Sequence, residues 1–347
     1  IINAIKASPY PASLHILDGS ADFDAANWTS TSVPNLSIFC ETGYGYGNIH
    51  FSNITSGSLS IVDVYAIQFT SCTLTNLYIN SPSCSVALYI ATTITGTLKC
   101  DCKYFQTVSG TLTYTGVYDS GDTFFVRAYN FECDIINNGS MEINASSSCS
   151  LNSYSANNAS LSVVSPIVYL NGALSSIRST LYIKTDLLQQ NSTFLVDSGT
   201  STSISSYTRF SLDIDAGYVN QNYGMDILST YGVCNVRMKT SLLYTYRSPK
   251  SIIINALNYD IVCQFDIGSI TYATLSPDED YAMIALYAPK AGKKLALDVR
   301  ISSMKQRLGI LGTYDTNECF IKKYSEVGSI LVKLNDTDAL NKVEYFD

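Results

Sequence analysis

The sequence predicts an all-β protein, a right-handed parallel β-helix (solenoid) with capping segments. Three observations carry the prediction. One phrase (turn glycine, small hydroxyl, apolar, variable, apolar) occurs twice within Gly96–Tyr114, as Gly96-Thr97-Leu98-Lys99-Cys100 and Gly110-Thr111-Leu112-Thr113-Tyr114. Variants of it recur along most of the chain, which is the mark of stacked repeats. Helical apolar periodicity is confined to short stretches such as Leu188-Gln189-Gln190 and Met304–Leu308. An antiparallel β-sandwich would also give many short strands with frequent turns. Repetition of one phrase, rather than mere alternation, favours the solenoid.

The elements follow in order. Residues 1–34 lack the phrase and hold the only tryptophan, Trp28, with Pro9 and Pro11. A solenoid must cover the open apolar end of its first repeat, so this segment reads as an N-terminal cap. Residues 35–249 read as the solenoid body. Its phrases include Asn35-Leu36-Ser37-Ile38, Gly57-Ser58-Leu59-Ser60-Ile61, Gly139-Ser140-Met141-Glu142-Ile143, Ala159-Ser160-Leu161-Ser162-Val163 and Ser179-Thr180-Leu181-Tyr182-Ile183. Each is short, alternating and entered by a turn residue, which is strand chemistry. Met141, Leu161 and Leu181 are spaced 20 residues apart. With Leu98 and Leu112 they are expected to face one interior. Spacing elsewhere is irregular, so inserted loops are expected. Residues 250–347 hold 11 of the 21 Lys and Arg in less than half the length. They read as a C-terminal β cap or small β domain.

Composition narrows the function classes. Charged residues make up 14% of the chain, against roughly 25% in ordinary soluble domains. Apolar residues at 46% suffice for a sizeable core, and the 26 Tyr outnumber the Lys and Arg together. A net charge of −8 with no basic stripe excludes a nucleic-acid footprint. No run of apolar residues is long enough for a membrane helix.

Ten cysteines with no zinc-type cluster point to disulfides and an oxidising compartment. Neighbouring strands of a parallel stack lie about 4.8 Å apart, inside the Cα window for a disulfide. Cys84 and Cys100 are 16 residues apart, and so are Cys133 and Cys149. Each pair is a candidate bridge between successive repeats. Eight N-x-[ST] sequons, at Asn27, Asn35, Asn53, Asn138, Asn144, Asn158, Asn191 and Asn335, add to the expectation of an extracellular or cell-surface glycoprotein, its signal peptide removed on the secretory route.

Candidate chemistry is sparse. His15 and His50 are the only histidines, and no G-x-S-x-G elbow surrounds any serine. The glycine-rich Gly43–Gly47 stretch is followed by no helical pattern, so it reads as an aromatic loop. Asp213 and Asp215 alternate on one strand and share a face. Paired carboxylates are the requirement for glycoside hydrolysis, and the pattern resembles the outer-face carboxylates of carbohydrate-cleaving β-helices. Asp22/Asp24 and Asp278/Asp280 are further pairs. The plain alternative for each is a solvated strand face, and Arg209 is the only basic residue near Asp213 in sequence. No cofactor or metal motif is present. Tyr218, Tyr223, Tyr244 and Tyr246 lie in the sequon-free stretch 192–334 and read as a contact surface for another subunit or for carbohydrate. The functional expectation is a structural, assembly or adhesive module. The alternative is a polysaccharide-active enzyme using Asp213 and Asp215.

Overall fold

In a computed structural model, the structure describes residues 12–16, 20–24, 33–40, 48–62, 64–116, 122, 124–197, 211–230, 233–246, 250–274, 282–308, 312–314, 321–323 and 329–334. Among them every regular element is a β-strand. The chain divides into two compact units: Ile1–Ser153 with Ser160–Ser165, and Tyr154–Ala159 with Pro166–Asp347.

In the second unit long and short strands alternate, and each pairs in parallel with the next of its kind. The long ladder runs Thr180–Gln190, Ser211–Gln221, Cys234–Tyr246, Ile261–Thr274, Lys294–Leu308 and Ser329–Leu334. The short ladder runs Leu174–Ile177, Phe194–Asp197, Met225–Leu228, Lys250–Asn255, Ala282–Tyr287 and Ile321–Lys323. Both ladders pass position 250 without a break, so the compositional shift there is not an interruption of pairing. The one antiparallel pairing among those described joins Lys294–Leu308 to Gly312–Tyr314.

Alternation within each long strand explains the interior. In Thr180–Gln190 the buried residues are Leu181, Ile183 and Thr185, then Leu188 and Gln190. The period of two slips by one residue at Asp186-Leu187, so the strand turns a corner there. Thr185 Oγ1 donates at this point toward the Leu187 carbonyl at 2.9 Å and the Pro166 carbonyl at 3.0 Å. Thr240 repeats the device toward Leu242 and Gly217. At Gly217 a Cβ would stand 2.8 Å from the Asp186 carbonyl oxygen, so this strand needs glycine at the corner, where Asp186 and Ser241 stand on its neighbours. Register then builds apolar rows: Leu181, Leu212, Val236, Cys263 and Leu297 are successive partners, and all are buried.

Polar rows follow the same register. Gln221 Nε2 donates to Gln190 Oε1 at 3.0 Å in the interior. Nearby, Asn191 Nδ2 donates to Asn171 Oδ1, and Asn222 Nδ2 donates to Asn191 Oδ1, each at 2.9 Å. Stacked amides satisfy one another when like residues sit one above the next, so these ladders reward exact register.

The first unit uses the same parallel pairing. Thr55–Val62 pairs with Thr73–Tyr89, that strand with Leu98–Ser109, and that one with Phe124–Asn137. Short strands Thr92–Ile94 and Leu112–Tyr114 stack beside them. Ring stacking reports the register: Phe51 on Phe69 with centroids 5.1 Å apart and planes 9° apart, and Phe105 on Phe131 at 5.5 Å and 4°. Strands Ala12–Ile16 and Ser20–Asp24 pair in parallel with Val33–Cys40 and Asn48–Ser52. The five residues expected inside, Leu98, Leu112, Met141, Leu161 and Leu181, are all buried.

The cysteines differ from expectation. Cys72, Cys84, Cys100, Cys102, Cys133, Cys149, Cys234 and Cys263 are all buried, and none of them forms a disulfide. Cys84 donates to the Ser85 carbonyl at 3.4 Å. Register places Cys100 opposite Ile79 and Cys102 opposite Ser81, with an irregularity between Ser81 and Ser85, so Cys84 is not the strand partner of Cys100. Cys133 Sγ turns to the Phe105 carbonyl of the preceding strand, 3.9 Å away, while Cys149 lies on the following one. Cys234 faces Ile261 and Cys263 faces Val236. That diagonal offset puts their Cα atoms roughly 8 Å apart at standard strand spacings, beyond the reach of a bridge.

Candidate functional site

The Asp213/Asp215 face of the second unit carries charged residues on successive strands. Leu212 and Ile214 point inward and are fully buried, so alternation turns Asp213 and Asp215 outward. Parallel register sets each in a cross-strand row. Tyr182, Asp213, Arg237, Gln264, Asp298 and Lys333 form one row, and Lys184, Asp215, Lys239, Asp266 and Arg300 the next. Arg237 Nη1 stands 3.4 Å from Asp213 Oδ2, and Arg300 Nε stands 3.9 Å from Asp266 Oδ1. The other oxygen of Asp213, Oδ1, is buried and accepts no hydrogen bond. A shallow depression of about 360 Å³ is lined by Asp213, Asn235, Arg237, Val262 and Gln264. A neighbouring one of about 240 Å³ is lined by Arg237, Lys239, Gln264, Asp266, Asp298 and Arg300.

Arg237, Lys239 and Lys184 were invisible beside Asp213 in sequence, because they come from other strands and only register delivers them. Arg209, the basic neighbour in sequence, lies outside the described residues. The arrangement gives Asp213 and Asp215 cationic neighbours across the strands. The face is therefore built to hold charge in balance.

Asp226 is the carboxyl that burial pushes up. It sits on Met225–Leu228 between Leu195 and Ile253 in register, with no second carboxylate in its row. Sequence pattern did not single it out, since its strand alternates like any other. Of the remaining pairs, Asp22 and Asp24 lie on Ser20–Asp24 opposite His50 and Ser52, and Asp278 and Asp280 lie outside the described residues. His50 is half-buried: Ser52 Oγ and Thr70 Oγ1 lie 3.1 and 3.0 Å from its Nε2. It bridges two hydroxyls on neighbouring strands. His15 is on Ala12–Ile16 opposite Phe39.

The sequons occupy distinct environments. Asn53 and Asn158 are exposed with φ of 56° and 54°, and Asn138 is an exposed residue between two strands. Asn144 is half-buried and donates to Glu142. Asn191 is held in the amide ladder described above. Asn35 lies on a strand opposite Ser58, and Asn27 and Asn335 fall outside the described residues. Of the tyrosines, Tyr218 pairs with Leu242 and Tyr244 with Asn220, so both stand on one outer face. Tyr223 is half exposed in the turn after Gln221. Tyr246 ends its strand opposite Ala273.

Among the described residues no group of His, Cys, Asp and Glu could hold a metal ion, and no helix is long and apolar enough to cross a membrane. Comparison of the chain with protein-family models, curated proteins and solved structures finds no match.

Proposed function

We propose that the chain is a secreted or surface-displayed β-solenoid glycoprotein that works as a structural, assembly or adhesive module. The observation that carries this reading is the register-true parallel pairing in each unit, reinforced by side-chain ladders at Asn171/Asn191/Asn222 and Gln190/Gln221. Such a scaffold invests its polar groups in rigidity. The Asp213/Asp215 face sets its carboxylates beside cationic neighbours, and exposed turn sequons suit glycan display. The outer face bearing Tyr218 and Tyr244 is the contact surface, for a second subunit or for carbohydrate.

One observation favours the enzymatic alternative. Arg237 and Lys239 next to Asp213 and Asp215 supply the basic groups that cleavage of acidic polysaccharide requires. Two measurements separate the readings. Full-length chain is expressed through a eukaryotic secretory pathway, mapped for glycans and disulfides, and sized by light scattering. It is then screened on polysaccharides beside Asp213→Asn/Asp215→Asn. Self-association or carbohydrate binding that Tyr244→Asp weakens at unchanged melting temperature supports the module. Polysaccharide cleavage that the double Asn variant abolishes supports the enzyme.

A further inference from the structure

Three segments of one form, Thr73-Leu74-Thr75, Thr93-Ile94-Thr95 and Thr113-Tyr114-Thr115, follow at intervals of 20 residues. Parallel register stacks them in the first unit. Thr73 pairs with Thr93 and Thr93 with Thr113, and Thr55 extends the row as the partner of Thr73. The second row keeps step: the Thr95 and Thr115 amides donate to the Leu74 and Ile94 carbonyls, each at 2.9 Å. Leu74, Ile94 and Tyr114 between them are fully buried, so both threonines of every rung point outward. Thr55, Thr73, Thr75 and Thr95 are exposed, and Thr93, Thr113 and Thr115 half-buried.

The rungs are alike in shape. Each is entered after a residue of positive φ: Asn53 at 56°, Ser71 at 54°, Ile90 at 57° and Gly110 at 93°. The last two are left through glycine. A Cβ on Gly96 would meet the Thr75 carbonyl oxygen at 2.5 Å, and one on Gly116 would meet the Gly96 carbonyl oxygen at 2.9 Å. Close backbone stacking at this corner holds the ranks level. The outcome is two ranks of threonine with repeats of about 4.8 Å across strands and about 6.6 Å along them.

The chemistry of the face selects its occupant. Segments 53–57, 71–76, 91–97 and 109–116 contain no charged residue, and their only aromatic, Tyr114, points inward. Ion binding needs charge, and sugar rings are gripped by aromatic platforms; neither is present. Each threonine sets a hydroxyl beside a methyl that orders adjacent water; that of Thr95 also donates to the Leu74 carbonyl at 3.4 Å and keeps its lone pairs for a further donor. The complement is an uncharged lattice of water oxygens; the prism face of hexagonal ice has one repeat close to the spacing across strands and a second somewhat longer than the spacing along them. We propose that this threonine array is an ice-binding face. The array is bounded by Ile136, opposite Thr113, and by Asn138, whose amide donates to the Tyr114 carbonyl.

The test is thermal hysteresis and crystal shape in a nanolitre osmometer, with full-length chain. Wild type is expected to hold a seed crystal below its melting point and to facet it. Thr95→Tyr and the separate variant Thr75→Lys are expected to lose both effects, while Lys99→Tyr, on an exposed site outside the array, retains them. Circular dichroism on each variant identifies any that misfolds, and the other array variant then decides. Absence of hysteresis and shaping in wild type overturns the proposal, as does hysteresis that survives both array substitutions. Retention on crystalline polysaccharide that the array variants lose, without hysteresis in wild type, also overturns it and assigns the face to that polymer.

Discussion

The buried amides of Gln190 and Gln221 allow the register argument to be tested energetically. Both side chains are fully buried. Gln190 Oε1 accepts from Gln221 Nε2 at 3.0 Å, and Gln190 Nε2 donates to the Ser192 and Gly224 carbonyls at 3.0 and 3.1 Å. Gln221→Leu takes the donor from Gln190 Oε1, and it also removes Gln221 Oε1, a buried acceptor with no partner, which offsets part of the cost. An orphaned buried acceptor costs about 1–3 kcal/mol. Gln190→Leu strips more, because the Gln221 amide and two backbone carbonyls all lose a partner. At about 1 kcal/mol or more for each group left unsatisfied, it should cost roughly 3 kcal/mol before the apolar gain of leucine is counted. The double variant removes both ends of the shared bond, so its cost should fall below the sum of the singles by about 1 kcal/mol. Neighbours in one network couple by about 0.5–3 kcal/mol. Urea unfolding of the four chains, followed by circular dichroism, measures the cycle. If the single costs add to the double within about 0.5 kcal/mol, the limit for independent sites, the two amides do not share a bond and the stacked register is wrong there.

Three further outcomes follow. Gly96→Ala should destabilise by about 1–3 kcal/mol, the range for overpacking, because its Cβ would meet the Thr75 carbonyl oxygen at 2.5 Å; an unchanged melting temperature would contradict that approach. Asp226 carries a carboxyl whose folded pKa burial raises, so its charged form opposes folding fully above that pKa and is relieved as pH falls through it. Asp226→Asn should therefore melt higher than wild type at neutral pH, with the gain vanishing on acidification; a gain independent of pH would point to another cause. Burial pushes the Cys133, Cys149 and Cys263 thiols up, so iodoacetamide should label them in urea and spare them in the native chain. Cysteines that label in urea only after reduction would restore the bridges expected from spacing.

Much of the local structure was legible in the residues. Alternation at Leu212-Asp213-Ile214-Asp215 already assigned inward and outward sides, since successive side chains of any strand oppose one another. Gly110 marked where one rung begins, whereas Ser71 and Ile90, which take positive φ at the same place in theirs, carried no such signal. The burial of Leu98, Leu112 and Met141 followed from the same periodicity. What the residues could not supply was the neighbour across the strand. Inserted stretches such as 198–210 vary the chain length between partners, so spacing in sequence does not measure offset in the ladder. Cys84 and Cys100, 16 residues apart, miss each other through the irregularity at Ser81–Ser85, whereas Asp213 and Arg237, 24 residues apart, meet. Thr73, Thr93 and Thr113 were plain in the sequence as threonines, but they form one row only once backbone hydrogen bonds lock their strands in parallel and in step. Alternation is a property of each strand alone; register is decided by the pairing of backbone groups and the packing of rows over the whole stack.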